Sequence, residues 1–434
     1  MTNSNLITPE ILRGTRDFLP EEMAKREYVL KKIVDVFRSF GYDTIETPVI
    51  EYLSTLTGQY GEEGSKLMYT FEDNGGRKIA LRYDQTVPTA RLVAANYKEL
   101  PMPFKRYQIS RVWRADRPAK GRYREFYQCD IDIIGTNSLL ADAEVAKVIY
   151  SVLRTLGFQN FVIKWNSRRF INQILSNLEI PEKTQGDVIR IFDKLGKIGK
   201  NGVFEELSKI LAKEKAEELL ETMTLSGTFS EKLEKLKNYD TAEIREFHSL
   251  CENFGIPEEN LEFDISLARG LDYYTGVIFE AILPDVEIGS VCGGGRYDDL
   301  CGRFMEEKLS GTGVSFGFDR LITAMEEKWL LQNIKLNSEV LVTYFDEGTL
   351  QYSQEIVNDL QNAQISSEIY FEAAKLGKQM KYADKKGIPF VIFCGSDEIK
   401  NDMVKIKMMK TGKEKIIPRT QLVQYFEGFS SETE

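Results

Sequence analysis

Apolar residues recur at helical spacing near the beginning of the chain. Between residues 20 and 40, Val29, Ile33 and Phe37 repeat every four positions, which places them on one face of a helix. Pro20 stands at a suitable first helical position, two glutamates follow it, and a glycine comes after the last periodic residue. The pattern predicts an amphipathic helix over residues 20–40.

Shorter runs of alternating apolar and polar residues come next, separated by turn signals such as Asn74-Gly75-Gly76. Pro48 has no N–H to donate, so the run that contains it belongs at a sheet edge or an interface. The spacing is typical of an antiparallel meander. It predicts strands at 42–51, 66–72, 78–83, 104–114, 123–135 and 160–166, with a helix over 139–156.

The periodicity changes between residues 170 and 258. This segment is rich in Lys, Glu, Leu and Ile at a period of 3.6 residues and contains no strong strand pattern, so it predicts a small helical insertion. Strand patterns resume afterwards at 261–267, 273–283 and 288–293. A glycine-rich segment and a helix from about 317 complete this part.

A linker near 330–337 precedes a region in which strand and helix patterns alternate. Such alternation is typical of a small α/β domain with a mainly parallel sheet. The predicted strands are 338–345, 366–371 and 388–394, and the predicted helices are 349–363 and 374–386. The fold class is therefore α+β, with a core of 1–169 and 259–330, an insertion of 170–258 and an α/β domain of 337–434.

Charge and composition narrow the possible classes. The net charge of −10 argues against a general nucleic-acid binder, although residues 375–419 hold twelve Lys or Arg against five Asp or Glu, a local basic face. The five cysteines form no C-x-x-C pair, so neither a zinc site nor a disulfide framework is indicated. We identify no signal peptide and no apolar run long enough for a membrane helix, and we expect a cytoplasmic protein without membrane contact.

Polar residues crowd two segments where a plain core would be apolar. The first is Arg82-Tyr83-Asp84-Gln85-Thr86, which offers acceptors for an ammonium group at a strand end, although turn-forming residues alone explain it equally well. The second is the segment 111–135, in which arginines surround a Pro/Gly turn and could hold phosphate oxygens. On its return strand Gln128, Asp130 and Asp132 share one face by the alternation of the pleat, and a solvated hairpin is the competing interpretation.

Two more segments combine glycines with charged or aromatic residues. In Leu267–Gly276, Arg269 stands just before Asp272, Tyr273 and Tyr274, which suggests an anion site beside core aromatics. The segments Cys292–Asp298 and Gly311–Leu321 are rich in glycine but match neither common nucleotide-binding fingerprint. The chain has one histidine, His248, which excludes most chemistry based on histidine.

Taken together and in order, these motifs resemble the class II aminoacyl-tRNA synthetases. The arginine hairpin and the final Gly-x-Asp-Arg are similar to motifs 2 and 3 of that class. LARGLDYYTG, GGGRYD, GTRDFLP and GRYREFYQ are similar to signatures of the histidyl-tRNA synthetase family. The resemblance covers residues 10 to 425. It implies an antiparallel-sheet catalytic core with a helical insertion and a C-terminal anticodon-binding α/β domain.

The resemblance also implies an activity. Members of the family activate L-histidine with ATP, form histidyl-adenylate and transfer the histidyl group to the 3′ end of tRNA(His), with Mg²⁺ as a cofactor. It implies a homodimer through the motif 1 region, near 20–51, an insertion that clamps RNA and no editing domain. A pocket that hydrogen-bonds both imidazole nitrogens discriminates by about 10⁴-fold or more without editing.

Site residues follow from the same resemblance. Arg114 and Arg269 are expected at the α-phosphate as the catalytic pair, and Phe126 is expected against the adenine. Asp116 stands where many members have Glu, which weakens its expected adenine contact. The implied ATP-binding set is Arg114, Asp116, Arg122, Phe126 and Arg320.

The implied histidine-binding set surrounds both ends of the amino acid. Asp84, Thr86 and Gln128 would hold the ammonium group. Asp132 and Tyr274 would bond the two imidazole nitrogens. The full set is Asp84, Gln85, Thr86, Arg114, Gln128, Asp132, Arg269, Tyr273 and Tyr274. The resemblance implies no metal ligand among the side chains.

Two other functions remain open at this point. A regulatory subunit of ATP phosphoribosyltransferase shares the synthetase-like core and would only sense histidine. It needs neither the phosphate-clamping arginines nor the C-terminal α/β domain. A class II synthetase for threonine or proline is disfavoured by LARGLDYYTG and by the acceptor row at Gln128 and Asp132.

Overall fold

The structure, a computed structural model, describes residues 7–58, 66–268, 274–298, 300–332, 334 and 338–430. The chain divides into two compact units: Met1–Asp17 with Val29–Leu331, and Phe18–Tyr28 with Gln332–Glu434. Each unit is described separately below. The domain boundaries expected from the sequence stay a prediction.

The helices and strands are numbered here in chain order. The helices are α1 Pro20–Ser39, α2 Leu53–Leu56, α3 Thr86–Asn96, α4 Leu139–Thr155, α5 Arg168–Asn177, α6 Glu182–Phe192, α7 Leu195–Leu207, α8 Lys213–Met223, α9 Phe229–Lys235, α10 Ala242–Asn253, α11 Phe318–Glu327, α12 Glu347–Asn362, α13 Leu376–Lys386, α14 Ser396–Asn401 and α15 Leu422–Ser430. The strands are β1 Asp43–Thr44, β2 Ile50–Tyr52, β3 Thr70–Glu72, β4 Lys78–Leu81, β5 Phe104–Trp113, β6 Glu125–Ile134, β7 Val162–Ser167, β8 Leu261–Phe263, β9 Val277–Ile282, β10 Ser290–Tyr297, β11 Gly311–Gly317, β12 Val340–Val342, β13 Ser367–Ile369, β14 Phe390–Phe393, β15 Met403–Met408 and β16 Glu414–Pro418.

An eight-stranded sheet forms the centre of the larger unit, in the order β1-β5-β6-β11-β10-β9-β7-β8. Its inner pairs are antiparallel, from β5–β6 through β7–β9, while β1–β5 and β7–β8 are parallel. The antiparallel core expected from the sequence is thus confirmed. Strands β2, β4 and β3 form a separate small antiparallel sheet.

One face of the large sheet is covered and the other borders a cavity. Phe37 of α1 contacts the rings of Tyr107 on β5 and Phe316 on β11, and α4 packs against β11. Because side chains alternate along a strand, the neighbours of Phe316 project to the opposite face. That opposite face carries Gln128, Asp130 and Asp132 of β6.

The glycine-rich segments form strands where the sequence pattern predicts none beyond residue 293. β10 and β11 pair with each other, and β11 pairs with β6. A Cβ atom added at Gly294 would lie 2.1 Å from the Gly313 carbonyl oxygen, and one added at Gly313 would lie 2.2 Å from Oδ1 of Asp132. The glycine positions of these strands have no room for a side chain, which explains why the alternation that signals a strand is missing.

Two further predictions for this unit are wrong. The run 42–51 is not one strand, because β1 joins the large sheet and β2 the small sheet, with Pro48 between them. The sequence pattern also predicts no element between residues 83 and 104, yet α3 begins at Thr86 and buries Val87, Ala90 and Val93. Its sequence consists largely of small residues and includes Pro88, so no clear helical repeat of large apolar residues is present.

Six helices, α5 to α10, lie between β7 and β8, as the periodicity predicts for this part of the chain. Helix α7 is kinked at Gly199, whose φ is +67°. Across the described residues, no helix combines the length and apolar character that crossing a bilayer requires.

The smaller unit contains a five-stranded sheet in the order β13-β12-β14-β15-β16. The first three strands are parallel, as predicted, but β15 and β16 extend the sheet antiparallel. The expectation of a mainly parallel sheet is therefore only half right. The hairpin turns at Gly412, whose φ is +70°, and its lysine-rich strands lack the apolar run that marks a buried strand.

Candidate active site

A cavity of about 440 Å³ opens on the polar face of the large sheet. Its floor comes from β6, β10 and β11, and its walls come from the hairpin between β5 and β6 and from the start of α3. Ten of its lining residues belong to the sets expected from the sequence: Asp84, Thr86, Arg114, Asp116, Arg122, Phe126, Gln128, Asp132, Tyr274 and Arg320. Side chains from distant parts of the chain thus meet in one cavity.

Arg114 stands at the end of β5 and is fixed from two sides. Its Nε donates to the Tyr83 carbonyl at 3.0 Å, and Nη2 donates to Oε1 of Gln128 at 3.4 Å. The guanidinium lies 4.4 Å from the centre of the Tyr83 ring and 5.3 Å from that of Phe126. A guanidinium held by these contacts can present its remaining N–H groups to an anion in the cavity.

The hairpin beyond Arg114 contributes a second cation. Arg122 donates from Nη2 to Oδ1 of Asp116 at 2.8 Å. Asp116 is buried, whereas the Arg122 side chain is about half exposed. The ion pair keeps the arginine over the cavity mouth, where a triphosphate or a base can replace part of its solvent.

Arg320, in the first turn of α11, comes to the same cavity from the far side. Its Nη1 donates to the Ser290 carbonyl at 2.5 Å. The neighbouring Asp319 accepts from Arg16 Nη2 at 2.5 Å and from the Tyr127 amide at 3.1 Å. This links the GTRDFLP segment to motif 3 and gives Arg16 a structural role that the sequence motif alone did not show.

Asp84 and Thr86 stand where β4 leads into α3. Asp84 is 2% exposed, and its Oδ1 accepts from the Val87 amide at 3.2 Å. A carboxylate at a helix start also meets the positive end of the helix dipole. Both side chains line the cavity, so an ammonium group there would find a carboxylate and a hydroxyl.

Gln128, on β6, is held from across the sheet. Its Nε2 donates to Oγ of Ser315 on β11 at 2.5 Å. Because its Oε1 accepts from Arg114, the amide has a defined orientation. It connects the arginine at one end of the cavity with the carboxylates at the other.

Asp132 and Asp130 lie two residues apart on β6, 3% and 2% exposed. Asp132 forms an ion pair with the fully buried Arg106 and accepts from the Tyr297 hydroxyl at 2.7 Å. Burial raises the pKa of Asp132 to about 6, against the attraction of Arg106, and burial raises that of Asp130 to about 7. Desolvation therefore outweighs the single nearby guanidinium.

Three of the expected histidine-binding residues are not among the described residues that line the cavity. Gln85 lies outside the cavity: it is fully buried, and its amide donates at 3.0 Å to the carbonyls of Ser110 and Gln128. Its placement therefore argues against a ligand contact, because it clamps β5 to β6. Arg269 and Tyr273 lie outside the described residues. Tyr274 is half-buried and lines the cavity.

The segment that leads to Arg269 is anchored by residues that the motif search missed. Asn166 donates to the carbonyls of Ile265 and Leu267 at 2.8 and 3.1 Å, and Arg168 donates to that of Ala268 at 3.3 Å. Both are buried at the junction of β7 and α5. The sequence signal that could have identified them is the polar run Asn166-Ser167-Arg168 at the end of an apolar strand.

Sequence reasoning also left Arg106, Tyr297 and Ser315 without a role. Each contacts a carboxylate or amide of the cavity. Arg106 offered a signal, because it alternates in phase with the inward residues of its strand. Tyr297 and Ser315 could not be found, because the register of β10 and β11 was not predicted.

Comparison with known proteins gives a consistent result. The family model described as "Histidyl-tRNA synthetase" matches residues 14–321, and the one described as "Anticodon binding domain" matches residues 339–428. The chain is 40% identical to the histidine--tRNA ligase of Wolinella succinogenes over 429 residues, covering 96% of this chain and 97% of that protein. It is also 40% identical to the histidine--tRNA ligase of Christiangramia forsetii over 440 residues, covering 94% and 96%.

Solved structures agree with these relatives. The histidyl-tRNA synthetase of Nostoc sp. PCC 7120 superimposes with a TM-score of 0.86 at 31% identity, covering 97% of this chain and 99% of that one. A Bacillus halodurans protein titled "ATP phosphoribosyltransferase regulatory subunit/histidyl-tRNA synthetase" gives a TM-score of 0.75 at 24% identity, covering 90% and 99%. At that identity the likeness is one of fold alone.

Proposed function

The chain belongs to the histidyl-tRNA synthetase family, and from that premise we propose how its residues divide the work. The protein charges tRNA(His) with histidine and uses ATP to do so. Which side chains hold which part of each substrate is our proposal. The observation that supports it best is that Arg114, Arg320 and the carboxylates of β6 line the same cavity.

We assign the ATP side to the hairpin and α11. Arg114 holds the α-phosphate and the histidine carboxylate, Phe126 lies against the adenine, and Arg320 meets the nucleotide from the opposite wall. Arg122 and Asp116 complete this side as a pair. Arg269, which lies outside the described residues, is proposed as the second arginine at the α-phosphate.

We assign the histidine side to the start of α3 and the floor of β6. Asp84, Thr86 and Gln128 hold the ammonium group. Asp132 and Tyr274 bond the imidazole. Arg106 and the Tyr297 hydroxyl fix the Asp132 carboxylate, so this part of the pocket is organised before histidine enters.

The first chemical step then needs position and charge rather than proton transfer. A carboxylate oxygen of histidine attacks the α-phosphorus in line, and pyrophosphate leaves with the electron pair of the broken P–O bond. Arg114 neutralises charge that spreads over the phosphoryl oxygens. A terminal ribose hydroxyl of the tRNA next attacks the acyl carbon, its proton passes to a phosphate oxygen of the adenylate, and AMP departs. No step requires a catalytic His, Ser or Cys.

Mg²⁺ is the usual companion of ATP in such reactions. In the described parts of the chain, no group of three or more His, Cys, Asp or Glu side chains is arranged to hold a metal ion. We propose Mg²⁺ only as a counter-ion carried on the phosphate oxygens of ATP.

We further propose a cytoplasmic homodimer. Tyr52 on β2 and Phe71 on β3 both lie opposite Ile79 of β4, in one row of the small sheet. Tyr52 is 51% exposed and Phe71 43%, and Ile50 on the same sheet is 46% exposed. Neighbouring exposed apolar side chains of this kind mark an association surface, and Ile50 and Tyr52 lie at the end of the motif 1 region.

Recognition of tRNA(His) is proposed for two parts of the chain. The smaller unit matches an anticodon-binding domain and carries the local basic excess on β15 and α13. The helical insertion is proposed to contact the tRNA from the side of the catalytic core. Neither part is given an editing role.

Histidine-dependent exchange of pyrophosphate into ATP tests the proposal. We expect exchange with histidine and none with threonine or proline. A protein that binds histidine without exchange would be a sensor, and exchange with another amino acid would contradict the assigned pocket.

A further inference from the structure

Asp130 is the one carboxylate of the cavity floor to which the motifs give no role. It lies on β6 between Gln128 and Asp132, lines the cavity and is 2% exposed. Its Oδ1 has no hydrogen-bond partner among the residues that the structure describes. A buried carboxylate oxygen left in this state costs free energy unless a ligand satisfies it.

The neighbouring Asp132 is in the opposite situation. One of its oxygens is in contact with Arg106, and the other accepts from Tyr297. Both oxygens therefore already have partners before any ligand binds. Of the two carboxylates on this face, Asp130 has the more hydrogen-bonding capacity to offer.

The surroundings of Asp130 favour a nitrogen heterocycle over a metal or a second ammonium. Asp132 and Asp84 face it as anions, Arg106 as a cation, and the Ser315 hydroxyl lies within hydrogen-bonding reach. Because burial raises its pKa to about 7, its carboxyl group can accept a hydrogen bond when ionised or donate one when protonated. Imidazole has the same versatility, with one N–H and one bare nitrogen at neutral pH.

We propose that Asp130 is a specificity-determining residue of the histidine site, whose carboxyl group hydrogen-bonds a ring nitrogen of the substrate. Asp132, held by Arg106 and Tyr297, keeps its proposed contact with the imidazole, and Asp130 shares that ring nitrogen with it. This inference rests on the proposed function. It adds a contact that the motif-based assignment does not contain.

The test compares Asp130→Ala and Asp130→Asn with the parent protein in histidine-dependent pyrophosphate exchange. Histidine is the substrate, and its two ring-methylated forms, 1-methylhistidine and 3-methylhistidine, are tested as competitive inhibitors. Each methyl group removes the hydrogen-bonding site of one ring nitrogen. Thr312→Val serves as a control, since it alters a fully buried polar side chain of β11 outside the cavity lining.

We expect the KM for histidine to rise roughly ten- to a hundred-fold in Asp130→Ala, as loss of a hydrogen bond to a charged group predicts. The KM for ATP should change less than about twofold by the same reasoning. Preference for histidine over one of the methylhistidines should collapse by a similar factor, and Asp130→Asn should retain part of it. Thr312→Val should leave all these ratios unchanged.

Three results would overturn the inference. They are an unchanged KM for histidine, equal rises in the KM values of histidine and ATP, or a raised KM with unaltered discrimination between the ring forms. The last result would mean a contact to the ammonium group or a structural effect. Absence of histidine-dependent exchange in the parent protein would instead contradict the proposed function itself.

Discussion

Individual arginines differ sharply in what their surroundings allow them to do. Arg114 is oriented by Tyr83 and Gln128 and lines the cavity. Arg111, three residues earlier and within β5, forms an ion pair with Glu125, and its side chain is 45% exposed. The sequence gives both the same motif context. Only the position at the strand end separates an arginine that lines the cavity from one that forms a surface ion pair.

Replacement of Arg114 by alanine should lower adenylate formation by about 10²–10³-fold, the cost of removing one preorganised charge-stabilising donor. Single-turnover formation of histidyl-adenylate measures the effect. Arg111→Ala is the matched control and should stay within about twofold, because surface ion pairs contribute little. Equal losses in both variants would contradict the role assigned to Arg114.

The raised pKa of Asp130 predicts a pH-dependent effect on stability. The folded state holds its proton up to about pH 7, whereas the unfolded value is 3.8, so the stabilising contribution is present below about pH 4 and is lost as the pH rises through 7. Asp130→Asn removes this loss. Its thermal midpoint should exceed that of the parent by a margin that grows from pH 5 to pH 8, on the order of a few degrees.

Asp264→Asn is the control with the opposite sign. Its ion pair with Lys164 and its bonds to Ser266 hold the pKa of Asp264 below the usual value, against the effect of burial. The stabilisation is therefore present above the unfolded pKa and is lost only in acid. This variant should show a deficit that is constant between pH 5 and 8, and a parallel response of the two variants would refute the assignment for Asp130.

At the scale of elements, the residues of the motif GGGRYD have different roles. Tyr297 lines the cavity, whereas Arg296 holds the fold together. Arg296 of β10 is buried and bonds Asp142 of α4 through two nitrogens, at 3.0 and 2.5 Å. It also donates to the carbonyls of Thr136 and Ser138, just before α4 begins. This arginine fastens the helix start to the sheet and does not line the cavity.

Loss of the Arg296–Asp142 ion pair should lower the stability of the fold. Arg296→Met leaves the Asp142 carboxylate buried without its cation, so we expect a loss of about 3–5 kcal/mol in the free energy of unfolding. Urea denaturation provides the measurement. The pair Arg296→Met with Asp142→Leu should recover much of that loss, whereas a double variant as unstable as the single one would argue against a charge effect.

The elements show where sequence patterns succeed and where they fail. The hairpin β5–β6 and helix α1 obey simple periodicities, and their bounds follow within a few residues. Strands β10 and β11 do not, because close packing requires glycine at several of their positions and this interrupts the alternating pattern. Site residues could be predicted where a charged side chain belongs to a motif, as at Arg114. They could not be predicted where their role depends on strand register, as at Tyr297 and Ser315.

At the scale of the whole molecule, we assign histidine activation and tRNA recognition to different stretches of the chain. Removal of residues 337–434 should spare histidine-dependent pyrophosphate exchange and lower the charging of tRNA(His), because the basic surface is lost while the cavity residues remain. Both rates are measured on the truncated and the full-length protein. Full charging by the truncated chain would refute the anticodon assignment.

The proposed association of two chains is tested at the same scale. Tyr52→Asp with Phe71→Asp places charges in the exposed row of the small sheet, and we expect a shift from dimer to monomer in sedimentation at micromolar concentration. Ile416→Asp, which alters an apolar side chain of β16 that is 58% exposed, should leave the dimer intact. A parent protein that sediments as a monomer would contradict the proposal.

Part of the cavity floor is bare backbone. Gly293, Gly313 and Gly317 line it, and the neighbouring strand approaches so closely that a methyl group at Gly313 would collide with Asp132. Protein engineers who wish to admit a bulkier amino acid can subtract nothing at these three positions, since glycine is already the minimum. Room for such a substrate has to come from shortening side chains elsewhere in the lining, as at the hairpin or at the start of α3.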